Sequence, residues 1–136
     1  MKTSSVNIIA RILSIFYILA VCLLCFAKID GAVTVTPVIF GLPSDKLAHF
    51  IMFFPFPMLA FLSFDRKNRK PLHSLLFVLA VLIVGCCFAA GTELVQGWLG
   101  YRSSDRADFI ADCISIAISG LIVLIIDINI PCSKKS

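Results

Sequence analysis

Apolar side chains dominate four long stretches of this chain, residues 8–27, 47–64, 72–94 and 107–128, and most polar positions fall between them. Each stretch approaches the ~20 residues that a helix needs to cross about 30 Å of hydrocarbon. Backbone in lipid must bond to itself. The pattern therefore predicts an all-α integral membrane four-helix bundle, a single transmembrane domain over residues 1–136.

Punctuation residues refine these elements. Pro71 suits the first turn of the third helix, where a missing N–H costs nothing, and Pro131 follows the fourth. Pro55 and Pro57 lie inside the second, in "FFPFPML", and force a kink there that neighbouring groups have to satisfy. The connection from Lys28 to Ser44 is long and alternates Val with Thr, which fits an extended segment on the membrane surface with no obvious strand partner. Trp98 and Tyr101 fit an aromatic belt at the interface.

Composition agrees with the pattern: mean hydropathy is +1.01 and 15% of residues are charged, against roughly a quarter in soluble domains. The first stretch also resembles a signal peptide in having Lys2 and Arg11 at its start. Its length and the lack of a clean small-x-small cleavage site after Ala27 favour a helix, and bulky Leu24 argues against a lipoprotein signal at Cys25. Four of the six cysteines, Cys22, Cys25, Cys86 and Cys87, sit within apolar runs as small hydrophobes. Cys22-x-x-Cys25 has metal or redox spacing without a His, Asp or Glu within a turn to complete a site.

The net charge of +4 acts as a topology signal rather than a nucleic-acid footprint, and no nucleic-acid partner is expected. With the N-terminus cytoplasmic, Lys2, Arg11, Arg66, Lys67, Arg69, Lys70, Lys134 and Lys135 lie inside, and Lys28, Lys46, Arg102 and Arg106 outside. That eight-to-four bias predicts cytoplasmic termini and a multi-pass protein of the cytoplasmic (inner) membrane. The acids sort the other way. Asp30, Asp45, Glu93, Asp105, Asp108 and Asp112 fall outside or in the outer half, against Asp65 and Asp127 inside. Acidic residues contribute little to orientation, so they need another reason.

Three polar groupings share that outer side. Asp45 and His49 are four apart on one helix face, with Lys46 beside them; Glu93 and Gln96 are three apart near the end of the third helix; Arg102 is followed by Asp105, Asp108 and Asp112 at spacings that align the acids. Capping explains Asp105 and a dipole contact explains Asp108. Neither explains Asp112, roughly 10 Å further along the helix axis from Asp105. Nor do they explain Glu93 at the end of an apolar run, since a buried carboxylate costs several kcal/mol unless it is paired or protonated. We expect the three groupings to converge. Zinc normally takes two His or Cys ligands at close spacing. His73 belongs to the opposite end, so neither metal nor cofactor is expected.

In order and spacing, "DKLAHF" (Asp45 to Phe50), "ELVQ" (Glu93 to Gln96) and "RSSDRADFIAD" (Arg102 to Asp112) resemble the VanZ-like family of small bacterial membrane proteins. The resemblance spans roughly positions 40 to 120. It carries the family's motif residues onto Asp45, Lys46, His49, Glu93, Gln96, Arg102, Asp105 and Asp108. Phe53, Asp112 and Ser115 depart from the Tyr, Asn and Gly often found there. The resemblance implies a link to low-level resistance to teicoplanin-type glycopeptides, without supplying an activity.

These residues suggest an outward-facing site for a lipid headgroup or lipid-linked envelope precursor. Arg102 and Lys46, with Gln96, Asp105 and Asp108, would bind the substrate; Glu93 or Asp112 would act as general base, with His49 oriented by Asp45 as acid or base. Two other classes stay open: a structural or assembly subunit whose polar cluster only joins helices, and a small ion or drug transporter.

Overall fold

The computed structural model describes residues 5–27, 38–39, 41–64, 70–100 and 105–129. In chain order these form helix α1 (Ser5–Phe26), a short pair of strands β1 (Val38–Ile39) and β2 (Leu42–Pro43), and helices α2 (Ser44–Phe53), α3 (Pro55–Ser63), α4 (Pro71–Leu99) and α5 (Arg106–Asn129). Among the described residues, four spans are long and apolar enough to cross a membrane: Ser5–Phe26, Ser44–Ser63, Pro71–Leu99 and Arg106–Asn129. The second of them contains both α2 and α3.

The break at Phe54 is where the prolines place it. Pro55 and Pro57 lack the N–H that would complete the preceding turn, so α2 stops and α3 restarts at Pro55. Neighbouring helices donate to carbonyls beside the break. The Tyr17 hydroxyl of α1 donates to the Met52 carbonyl at 2.6 Å and the Ser115 hydroxyl of α5 to the Phe50 carbonyl at 2.5 Å. The two hydroxyl bonds tie the last turn of α2, next to the break, to α1 and α5.

Two details differ from the sequence reading. Part of the connection before α2 does find a strand partner: Val38 pairs antiparallel with Pro43 and Ile39 with Leu42, the chain turning through Gly41 at φ 79°. Only glycine adopts that backbone without strain. The third helix does not end near residue 94 but continues to Leu99, where Gly100 at φ 71° closes it. Polar Glu93 and Gln96 mark a change of environment, whereas a left-handed glycine marks the end of a helix.

Packing runs through α5, which lies along α4 and also meets α2 and α3, while α1 packs on α3 and α4. Small residues set the approach of α4 and α5: a methyl group on Gly120 would lie 2.7 Å from the Leu82 Cδ2 atom. Burial is inverted relative to a water-soluble domain. Among the described residues, ten polar or charged side chains are buried against nine hydrophobic ones, while Leu23, Leu94 and Phe16 stand exposed. Lipid solvates apolar side chains as well as a protein core does, so the interior collects the polar ones.

Candidate functional site

Most of the buried polar side chains that can ionise gather at one end of the bundle. His49 lies five residues into α2, Asp112 six residues into α5, and Glu93 six residues before the end of α4. At about 1.5 Å of rise per residue, all three sit roughly 7–9 Å inside the same end. Three antiparallel or neighbouring helices thus deliver one ionisable group each to a common depth. The side chains are 2%, 0% and 6% exposed for His49, Asp112 and Glu93, so neighbouring helices, rather than water, surround them.

Asp112 faces His49 across the α2–α5 contact. The His49 Nδ1 atom is 3.2 Å from one carboxylate oxygen and 3.3 Å from the other. Its Nε2 atom lies 3.9 Å from Asp108 Oδ2. One turn earlier on α2, the Lys46 ammonium donates to Asp105 Oδ2 at 2.7 Å and to Asp108 Oδ1 at 3.0 Å. Asp105 is also the N-cap of α5, accepting from the Ala107 N–H at 2.9 Å, as the first turn of a helix demands. Donation first from Lys46 and then from Ala107 holds the Asp105 carboxyl below its ordinary range.

Glu93 closes the cluster from the α4 side. One carboxylate oxygen accepts from the Asp105 backbone N–H at 3.2 Å. The other, Oε1, is buried without a hydrogen-bond partner. A ligand atom from each of His49, Glu93 and Asp112 lies within 4.8 Å of the others. The site therefore holds a histidine that can take or give a proton beside two carboxylates, with one buried acceptor uncommitted.

The other expected site residues occupy distinct positions. Asp45 precedes His49 by one turn, but its Oδ1 atom is buried and without a partner; the acids around His49 are Asp112 and Asp108. Gln96 is buried and donates from Nε2 to the Cys25 carbonyl at 3.1 Å, tying α4 to the last turn of α1. Arg102 lies outside the described residues, as does Tyr101. Trp98 is 85% exposed near the end of α4, where an interfacial aromatic belongs.

Two hydroxyls escaped the sequence reading as site supports. Tyr17 and Ser115 fix α2 from both sides, four residues or fewer from His49 in sequence at their acceptors Phe50 and Met52. A tyrosine in mid-span was the available signal for the first, since its hydroxyl seeks a partner when buried. At the opposite end, Arg11 donates from Nε to the Ser63 carbonyl at 2.9 Å and Ser14 pairs with Ser63 at 3.0 Å. These contacts close α1 onto α3 without joining the cluster.

The chain is 29% identical over 79 residues to an uncharacterized protein of Schizosaccharomyces pombe, C11E3.10. The match covers 58% of this chain and 46% of that protein, so less than half of the relative's length corresponds. No solved structure matches the chain. The family model described as VanZ/LLP1 matches residues 8–127, through all four spans and every described residue of the cluster, and the chain belongs to that family.

Proposed function

We propose that this multi-pass membrane protein binds or processes the polar headgroup of a lipid or a lipid-linked envelope precursor at the His49–Glu93–Asp112 end of the bundle. The observation that carries the proposal is the placing of three buried ionisable groups from three helices at one depth, roughly 7–9 Å inside the end of the apolar spans. Headgroups meet acyl chains at such a depth. Ionisable groups are costly in lipid and mark function by default.

Each residue has a role in this reading. Glu93, with its uncommitted oxygen, is the general base. His49 acts as acid or base and is oriented by Asp112, at 3.2 Å, in place of the Asp45 expected from spacing. Asp105 and Asp108 hold Lys46 at the mouth, and Arg102, with its paired donors, grips an anionic group on the ligand. In the orientation that the basic residues predict, with both termini cytoplasmic, the site would open at the outer leaflet. A lipid-linked wall precursor as ligand would connect the site with the glycopeptide resistance that the family resemblance implies.

Native mass spectrometry of protein extracted in membrane patches tests this. Wild type should retain a selective phosphorylated or lipid-linked species that Glu93→Gln and Arg102→Ala lose. Equal lipid retention by all three proteins would end the proposal.

A structural reading is favoured by one observation, the continuous Lys46–Asp105–Glu93 linkage that joins α2, α4 and the start of α5. It predicts that Glu93→Gln and Asp112→Asn lower thermal stability together, with no separable change in bound lipid.

A further inference from the structure

The acidic end of the bundle has a charge problem that its own hydrogen bonds do not solve. Glu93, Asp105, Asp108 and Asp112 bring four carboxylates, and Lys46 is the one ammonium bonded to them among the described residues. Three negative charges remain with neutral His49, and two with the imidazolium. Counted as ionised, such carboxylates, where buried, call for protons, for paired cations or for a metal ion. The uncommitted Glu93 Oε1 atom, on a side chain only 6% exposed, is the plainest sign of a missing positive partner.

The contact between His49 and Asp112 points the same way. A hydrogen bond between an imidazolium and a carboxylate is about 2.7–2.9 Å long and aimed at one oxygen. Here Nδ1 stands 3.2 and 3.3 Å from the two oxygens, nearly equidistant. Those lengths suit two ligands on one ion instead. With metal–nitrogen and metal–oxygen bonds of about 2.0–2.1 Å, tetrahedral ligands are about 3.4 Å apart.

We propose that His49, Glu93 and Asp112, one from each of α2, α4 and α5, form a binding site for a divalent first-row transition metal ion. His49 coordinates through Nδ1, which leaves Nε2 turned toward Asp108 at 3.9 Å. Asp108 in turn accepts from Lys46 at 3.0 Å. A carboxylate behind a metal-bound histidine is the usual outer support, fixing the ring and its tautomer. The Asp105 N–H plays the same part for Glu93 through Oε2, leaving Oε1 for the ion.

The three donors lie within 4.8 Å of one another, so closing them on a shared ion takes side-chain movement on the order of 1 Å. Mixed nitrogen and oxygen donors select zinc, iron or manganese over calcium, which takes oxygen ligands alone. Three protein ligands leave a coordination position open, the mark of sites that meet a substrate or water. If the headgroup reading above holds, that position is where an anionic headgroup oxygen meets the ion, and Glu93 and His49 then serve as ligands of the ion in place of the base and acid roles given to them there. Metal binding itself stands without that reading.

The test uses the untagged full chain in lipid nanodiscs, stripped with chelator and then titrated with Zn²⁺ and separately with Mn²⁺. Wild type should take up one ion per chain and melt at a higher temperature when loaded. Glu93→Gln and His49→Gln should weaken uptake at least tenfold, and Cys86→Ser with Cys113→Ser, which removes two thiols hydrogen-bonded to each other between α4 and α5, should not. X-ray absorption of the zinc-loaded wild type should show nitrogen and oxygen neighbours at about 2.0–2.1 Å. Folded wild type that takes up no stoichiometric ion overturns the proposal, as does zinc ringed by sulfur. Metal uptake without lipid retention would support this site and end the headgroup reading.

Discussion

At the residue scale, the cluster works through a division between committed and uncommitted atoms. Lys46 is fully engaged, reaching Asp105 and Asp108 at once. Replacing it with glutamine should destabilise the protein by about 1–2 kcal/mol, since bonds to charged partners are worth about 1.5–3 kcal/mol and partial exposure discounts them. Chemical unfolding in mixed micelles reads this directly; an unchanged midpoint would make the bridge ornamental. Glu93→Gln is a gentler change because the amide oxygen still accepts the Asp105 N–H. The identities of these residues were legible from their unusual occurrence at the ends of apolar runs. Their pairings were not: the four-residue spacing of Asp45 and His49 suggested a local partner, whereas His49 meets Asp112 sixty-three positions away. Spacing within a helix says nothing about which helix lies opposite. For the same reason, close spacing of histidines or cysteines along one helix is no guide to the proposed set of His49, Glu93 and Asp112, which comes from three helices.

Elements carry the next set of consequences. The prolines announced the break in the second span, but the hydroxyls that tie the adjoining turn to its neighbours, Tyr17 and Ser115, come from helices whose relative positions are set by packing. Tyr17→Phe and Ser115→Ala should each cost about 1 kcal/mol, the usual net worth of a hydrogen bond, and the loss should appear as a lower unfolding midpoint. If neither substitution registers, the kink is held by packing alone. The α4–α5 seam makes a sharper prediction. Gly120 accepts little more than its hydrogen, with Leu82 2.7 Å from where a methyl would stand, so Gly120→Val should destabilise by about 1–3 kcal/mol through overpacking. Membrane-spanning helices were readable as elements because their length and apolarity are dictated by the bilayer. The end of α4 was not, because Glu93 and Gln96 mimic the polar flank of a span while remaining inside the helix.

For the whole molecule, the decisive feature is the inversion of polarity, with ionisable groups inside and leucine, isoleucine and phenylalanine facing out. Hydropathy made the four spans plain, and the ordered motifs made the family plain before any coordinates, since both are properties of the linear chain. Which leaflet the site faces depends on the basic residues. Their bias predicts cytoplasmic termini, so green fluorescent protein fused to the C-terminus in a bacterial host should fluoresce, and a dark but inserted fusion would reverse the orientation. The central claim is that the buried cluster at one end is a ligand site rather than glue. Its most direct test is to measure melting temperature and bound lipid side by side for wild type and Glu93→Gln. We predict at least a tenfold loss of the selectively retained lipid, with the melting temperature within roughly 3 °C of wild type. A melting temperature that collapses while the remaining folded protein keeps the same lipids would contradict the claim and leave the cluster as a structural network.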